Sequence, residues 1–202
     1  MQLHNTYYIF RHGEAVSNVK NVVSSWPETF RNPLTKKGVD QVKESAEKLK
    51  AKSINLIFAS DLLRARQTAE IVVKILNSEL KFDKSSTTFK KLKVVLDKRL
   101  REVGFGDLNG RPTEELLYLG FEKERLHHSI KNSETYKDVL RRVSDFLKTV
   151  DKKYKGKNIL IVSHQCPLWI LENEVDGFSL TAGLKRNPEG KRIGRGEIRE
   201  LN

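Results

Sequence analysis

The chain is nearly free of cysteine. Its single thiol, Cys166, excludes an internal disulfide framework, and a reducing, cytoplasmic setting is the expectation that follows. Proline is scarce, with five residues scattered along the chain, and no repeat, low-complexity tract or Pro-rich linker divides it. No apolar run approaches the roughly 20 residues that cross a bilayer, so no membrane partner is expected. The opening MQLHNTYYIF has no basic n-region, no long apolar h-region and no small-residue cleavage site, and does not read as a signal peptide. No His, Cys or acidic spacing suggests a metal site. Acidic charge is also in short supply: 26 Asp and Glu face 38 Lys and Arg, a formal net charge of +12. Such a surface attracts anions, whether phosphorylated metabolites, nucleic acid or acidic proteins.

What is present is a soluble balance of 38% hydrophobic and 32% charged residues over 202 positions, the size of one α/β domain with a substantial core. Thr6 to Phe10, Asn55 to Ala59, Leu92 to Leu96 and Asn158 to His164 (NILIVSH) read as strands, three of them continuous apolar runs. Between them lie helical stripes. Thr35 caps one through Val39, Val42, Ala46 and Leu49; Ser60 or Asp61 caps another through Leu62, Ala65, Ala69, Val72 and Leu76. Ser133 opens a long helix ended by Gly156, and Gln165 to Glu174 a short one with Pro167 in its first turn. Residues 81 to 91 read as an exposed loop, and 113 to 131 as a helical cap in pieces. Residues 183 to 202 read as a basic tail whose GEIREL forms an edge strand. Strands alternating with helices predict a single domain over 1–202, a three-layer α/β/α sandwich with a largely parallel central sheet. Ligands of such sheets bind beyond the carboxyl ends of the strands. Two strands here run straight into histidine, YYIF into Arg11 and His12 and ILIVS into His164.

Five segments, in order and spanning about residues 6 to 168, carry a resemblance. RHGEAVSN looks like a signature loop, NPLTKKGVDQ like the L-T-x-x-G-x-x-Q helix start, and SDLLRARQTAE like S-x-L-x-R-A-x-Q-T-A. LREVGFGDLNG with IVSHQ looks like the acid loop and the second-histidine loop. Together they resemble the histidine phosphatase superfamily, which includes phosphoglycerate mutases and many phosphomonoesterases. The resemblance implies a phosphoglycerate mutase-like fold and a metal-independent, cofactor-free phosphomonoester hydrolase acting on a small phosphorylated metabolite.

It assigns His12 as the nucleophile that becomes phosphorylated. Arg11 and Arg64 offer planar donor forks matched to phosphate oxygens, Asn18 offers an amide, and His164, expected to be cationic beside the phosphate, steadies the transferring charge. Gly13 lets the backbone approach closely and can adopt positive φ. Glu102 is the expected proton donor, with Glu14 and Asp107 as rivals; Arg101 is expected to be structural or to steer substrate, and His4, His127 and His128 to lie on the surface. Cys166 does not fit a cysteine phosphatase, since Glu172 stands where that motif needs arginine. One departure is Gln165, where the superfamily usually has glycine; a need for positive φ there would strain it.

Two alternatives remain. Mutases of the superfamily carry a W-N-x-x-N-x-F stretch after RHGE. Here AVSNVKNVVSSWPETF keeps Asn18 but lacks the first tryptophan, and little chain is left for a cage over the intermediate. The other alternative is a phosphatase-like domain that binds nucleic acid through Lys185, Arg186, Lys191, Arg192, Arg195 and Arg199. No aromatics are interleaved with these charges, which argues against base stacking.

Overall fold

In the computed structural model, which describes residues 2–79, 91–118, 126 and 130–201, the apolar strands alternate side chains between two cores, as a sheet covered on both faces must. Strand β1 (Thr6–Arg11) sends Tyr7 and Ile9 to one core and Tyr8 and Phe10 to the other. Strand β2 (Leu56–Ala59) divides Phe58 from Ile57 and Ala59 in the same way. Strand β4 (Asn158–Ser163) divides Ile159 and Ile161 from Leu160 and Val162. With β3 (Val94–Leu96) and β5 (Ile198–Leu201) the sheet runs β3-β2-β4-β1-β5. All pairings are parallel except β1 with β5.

Helices fill both outer layers. One face is covered by α2 (Lys36–Leu49) and α3 (Leu63–Glu79) through Val42, Ala46, Leu49, Ala65, Ala69 and Val72. The other is covered by α5 (Tyr136–Lys153) and α6 (Gln165–Val175) through Val139, Val143, Phe146, Leu147, Leu168 and Trp169. The expected three-layer α/β architecture is what the chain adopts. Short helices α1 (Val16–Val19) and α4 (Thr113–Tyr118) lie on the connections beyond β1 and β3. Of the cap segment, α4 is seen; residues 119–125 and 127–129, with His127 and His128, lie outside the described residues, as do 81–90 of the expected loop. No helix among the described residues is long and apolar enough to cross a membrane.

Caps decide where helices begin. Thr35 accepts from the Gly38 amide, as its position suggests. The long helix starts three residues later than Ser133, because Thr135 and Asp138 form a reciprocal capping box that a run of polar residues conceals. A helix that the sequence does not announce, α7 (Leu180–Arg186), runs into the start of the basic tail and is capped by Ser179 accepting from Ala182 N–H. GEIREL does supply the edge strand, antiparallel to β1.

At the far end of β1, buried Asp151 collects donors from the His4 amide and ring, the Asn5 side chain and the Tyr7 hydroxyl at 2.7–3.1 Å. His4 is largely exposed, as expected, yet tied down by this pair. Truncating the carboxylate strands buried donors. Asp151→Ala is therefore expected to lower the unfolding free energy by about 3 kcal/mol, measured by urea denaturation at neutral pH.

Candidate active site

The register of the two central strands sets the site. Arg11 pairs with Ser163 across β1 and β4, so the residues that follow, His12 and His164, leave the sheet side by side at its carboxyl edge. Their ring centroids are 5.0 Å apart. His12 Nδ1 lies 2.7 Å from the Gly13 carbonyl. A carbonyl only accepts, so Nδ1 carries the proton and Nε2 keeps its lone pair. That lone pair accepts from Arg64 Nε–H at 3.2 Å.

Glycine at position 13 is required by space. A Cβ there would lie 2.4 Å from the Gly38 carbonyl oxygen, and one on Gly38 would lie 2.0 Å from that of Glu14. The signature loop thus packs backbone against backbone on the first turn of α2. Gly13 is not among the residues with positive φ, so close approach alone accounts for it.

Arg64 sits in the first turn of α3, which leaves β2 at the same edge. Its Nη2 donates to the Ser24 carbonyl at 2.9 Å and its Nη1 pairs with Glu28 at 3.3 Å. Thr68, one turn on, accepts from Gly13 N–H and donates to the Arg64 carbonyl. Burial pulls the Arg64 guanidinium down to about 10, partly countered by Glu102 and Glu28, so it stays charged at neutral pH. Arg11 Nη1 donates to the Ile193 carbonyl at 3.0 Å. Asn18 spends its Oδ1 on the Ala15 amide at 2.9 Å.

His164 is fully buried; its Nε2 meets Ser60 Oγ at 2.9 Å, while Nδ1 has no hydrogen-bond partner among the described residues. The imidazolium is expected beside a bound phosphate; in the ligand-free site the ring is held in its other form. Burial, then Arg64 and His12, push its pKa well below the ordinary histidine value. Burial, then Arg64 and Arg11, do the same to His12. Both rings are neutral at pH 7. The unfolded chain protonates its histidines near pH 6.5 and the folded chain does not. The unfolded state therefore binds more protons as pH falls below about 6.5 and stability drops there. In phosphate-free buffer, the stability lost between pH 7 and pH 5 is expected to be smaller in His164→Asn than in wild type, measured by urea unfolding across that range.

Glu102 follows the turn after β3. Its Oε1 accepts from Val103 N–H at 2.9 Å and from Cys166 N–H, in the first turn of α6, at 3.3 Å. Arg142 of α5 fixes this turn: it donates to the Arg99 and Glu102 carbonyls at 2.6 and 3.2 Å and pairs with Glu134, which receives the Gly104 amide. The rivals lie elsewhere. Glu14 accepts from Thr35 Oγ1 and pairs with Lys37, and Asp107 accepts from Asn132. Arg101 pairs with Asp61 and lies over the Trp26 ring at 3.9 Å, a structural placement.

Arg11, His12, Asn18, Arg64 and Glu102 line one cleft of about 220 Å³, walled by Val22, Val23, Phe105 and Leu116 and closed by Gln165, Cys166, Arg192 and Arg195. Among the described residues no cluster of His, Cys, Asp and Glu could hold a metal ion.

A family model for the histidine phosphatase superfamily (branch 1) matches residues 7–190. The chain belongs to that superfamily. It is 28% identical over 181 residues to the adenosylcobalamin/alpha-ribazole phosphatase of Escherichia coli, covering 87% of this chain and 81% of that one. It is 29% identical over 163 residues to the 2,3-bisphosphoglycerate-dependent phosphoglycerate mutase of Thermoplasma acidophilum, covering 79% and 70%. Its fold matches the crystal structure of the alpha-ribazole phosphatase from Shigella flexneri with a TM-score of 0.74 at 24% identity, over 98% of this chain and 90% of that one.

For a histidine phosphatase, the structure brings together all the residues that the sequence singled out: His12 and Arg64 in contact, His164 beside His12, and Arg11, Asn18 and Glu102 around the same cleft. Gln165 is the first residue of α6 and is not among the positive-φ residues, so it replaces glycine without backbone strain and faces the cleft. Sequence reasoning missed Glu28, which braces Arg64, and the contact of Ser60 with His164. Ser60 directly follows the apolar run of β2, at the same sheet edge, and that position was the available signal. Of the tail charges, Lys185, Lys191 and Arg195 are exposed, while the other three have partners within the fold. Arg186 pairs with Asp176, Arg199 with Glu197 and Glu172, and Arg192 is buried over the Trp169 ring.

Proposed function

We propose that this histidine phosphatase hydrolyses small phosphomonoesters without a metal ion, through a covalent intermediate on Nε2 of His12. The tautomer of His12 carries the reading: the Gly13 carbonyl holds the proton on Nδ1, which leaves Nε2 as the nucleophilic lone pair at the cleft. The electrostatics support it. A neutral imidazole is the reactive form, and burial together with Arg64 and Arg11 keeps His12 neutral.

A phosphate entering between His12 and Arg64 takes the Arg64 donors onto its oxygens, with Arg11 and the Asn18 amide on others. The ring of His164 lies beside that of His12 and its Nδ1 has no hydrogen-bond partner among the described residues, which suits it to donate to the same group. The phosphate's negative charge raises the proton affinity of His164, so the imidazolium forms with substrate bound. The Nε2 lone pair attacks phosphorus as the ester P–O bond breaks. The departing pair stays on the leaving oxygen, which takes a proton from Glu102. Water then attacks phosphorus, its proton passes to the Glu102 carboxylate, and the P–N pair returns to Nε2.

Mutase chemistry would use the same first half-reaction and hand the phosphoryl group to a second hydroxyl. Incubation with para-nitrophenyl phosphate and with small alkyl phosphates, in the presence of a chelator, tests the reading. Stoichiometric release of inorganic phosphate is expected. Loss of activity in chelator contradicts the metal-independent route, and phosphoryl transfer to an added hydroxy acid without phosphate release identifies a mutase.

A further inference from the structure

Gln165 lines the cleft, yet neither the grip on the phosphoryl group nor the fold accounts for its side chain. It is half-buried in the first turn of α6, and its amide makes no hydrogen bond to any described residue. We infer that Gln165 is a specificity-determining residue of the proposed phosphatase. Its amide meets a hydroxyl group of the leaving alcohol, so that the preferred substrate is the monophosphate of a polyol. The inference rests on the proposed phosphatase activity and deepens it.

The fold puts this amide on the side of the leaving group. His164, the residue before it, lies beside His12. Cys166, the residue after it, donates its backbone N–H to Glu102 Oε1 at 3.3 Å. Gln165 therefore stands between the ring that steadies the phosphoryl group and the contact that holds the proton donor. The ester oxygen must come within hydrogen-bond reach of Glu102 for the proton to pass. The carbons attached to that oxygen, and whatever they carry, then lie beside the first turn of α6. The turn itself is fixed: Leu168 N–H donates to the His164 carbonyl at 3.2 Å, and Leu168 and Trp169 are anchored in the core. A side chain on such a turn is already placed when the ligand arrives.

The chemistry of an amide selects the partner. It both donates and accepts, as a hydroxyl does, whereas a carboxylate or a phosphate dianion only accepts. An alkyl leaving group pressed against Gln165 would strip its amide of water and return no hydrogen bond. A hydroxyl restores the bond. The rest of the cleft fits a short hydroxylated carbon chain: Val22, Val23, Phe105 and Leu116 offer apolar surface, and Asn21 and Thr113 add neutral polar side chains. The last two are neighbours, since Thr113 N–H donates to the Asn21 carbonyl at 2.8 Å. Asn21 has φ 51°, a turn geometry that favours asparagine in its own right. The helical backbone of Gln165 makes no such demand, so its side chain carries the argument.

Ethyl phosphate, 2-hydroxyethyl phosphate and phosphoglycolate test this, since their two-carbon leaving groups differ only at the far end. In wild type, kcat/KM is expected to be about 10-fold higher for 2-hydroxyethyl phosphate than for ethyl phosphate, the scale of one hydrogen bond. It is also expected to exceed that for phosphoglycolate. Gln165→Met keeps the length and helix preference of the side chain without its hydrogen bonds, and should abolish the preference for the hydroxylated ester. Gln165→Gly, which removes the side chain altogether, should abolish it as well. Variants that lose kcat/KM on all three esters alike, with the preference intact, show a merely structural role and overturn the inference. A wild-type enzyme with no preference for 2-hydroxyethyl phosphate, or with phosphoglycolate preferred, also overturns it while the phosphatase reading stands. An enzyme that hydrolyses none of the three, nor para-nitrophenyl phosphate, removes the phosphatase reading and this inference together.

Discussion

Replacing His12 by alanine is expected to lower phosphate release from any phosphomonoester by about 10⁴-fold or more, the scale on which loss of a covalent nucleophile acts. The site explains why nothing replaces it. His164 sits 5.0 Å away by ring centroid, but its Nε2 is held by Ser60 and its Nδ1 is the group proposed to donate to the phosphate, not to attack it. Cys166 lines the cleft, but its amide is bound to Glu102 and its thiol lies at the buried edge. The variant keeps Gly13 and therefore the backbone contact with Gly38, and folding is checked by its urea midpoint. Activity within 10-fold of wild type in folded His12→Ala protein, on the order of the scatter among ordinary site substitutions, contradicts a covalent role for this ring.

The second large effect is at Glu102. Glutamine keeps the acceptor for the Val103 and Cys166 amides but cannot give up or take the proton. General acid catalysis contributes about 10²–10⁴-fold, and the loss depends on the leaving group. An alkoxide needs a proton as it leaves; para-nitrophenolate does not. Glu102→Gln should therefore lose about 10²-fold or more on alkyl phosphates. On para-nitrophenyl phosphate it should show a rapid burst of phenolate followed by slow turnover, because attack of water on the phosphoenzyme still lacks its base. Stopped-flow absorbance reads both phases. Equal losses on both substrates with no burst assign Glu102 a role in holding the α6 turn and not in proton transfer.

Much of this was legible before any coordinates. Continuous apolar runs ending in histidine place β1 and β4 and identify the sheet edge at which the site lies. The order of the five segments points to the superfamily, and with it to His12, Arg64, His164 and Glu102. What the sequence concealed has physical causes. The start of α5 hides because Ser133 and Thr135 both have a hydroxyl that can cap a helix, and only the reciprocal bonds of Thr135 and Asp138 choose between them. The neutral state of His164 depends on full burial next to Arg64 and His12, neither of which is its neighbour in sequence. The role of Gly13 as a packing residue depends on Gly38, brought to it across the turn. The basic tail read as one strip because charge was counted along the chain. In space its arginines divide: Arg186 and Arg199 are ion-paired, Arg192 is stacked on Trp169 at the cleft, and Arg195 is exposed beside it.

The most direct test is to trap the intermediate. Wild-type protein mixed with a ³²P-labelled phosphomonoester and quenched in alkali within milliseconds should carry label that survives base and is lost in acid, and peptide mapping should place it on His12. Glu102→Gln should accumulate more of it, approaching one phosphate per chain. Steady turnover with no trapped label in either protein, or label on any other residue, contradicts transfer through Nε2 of His12.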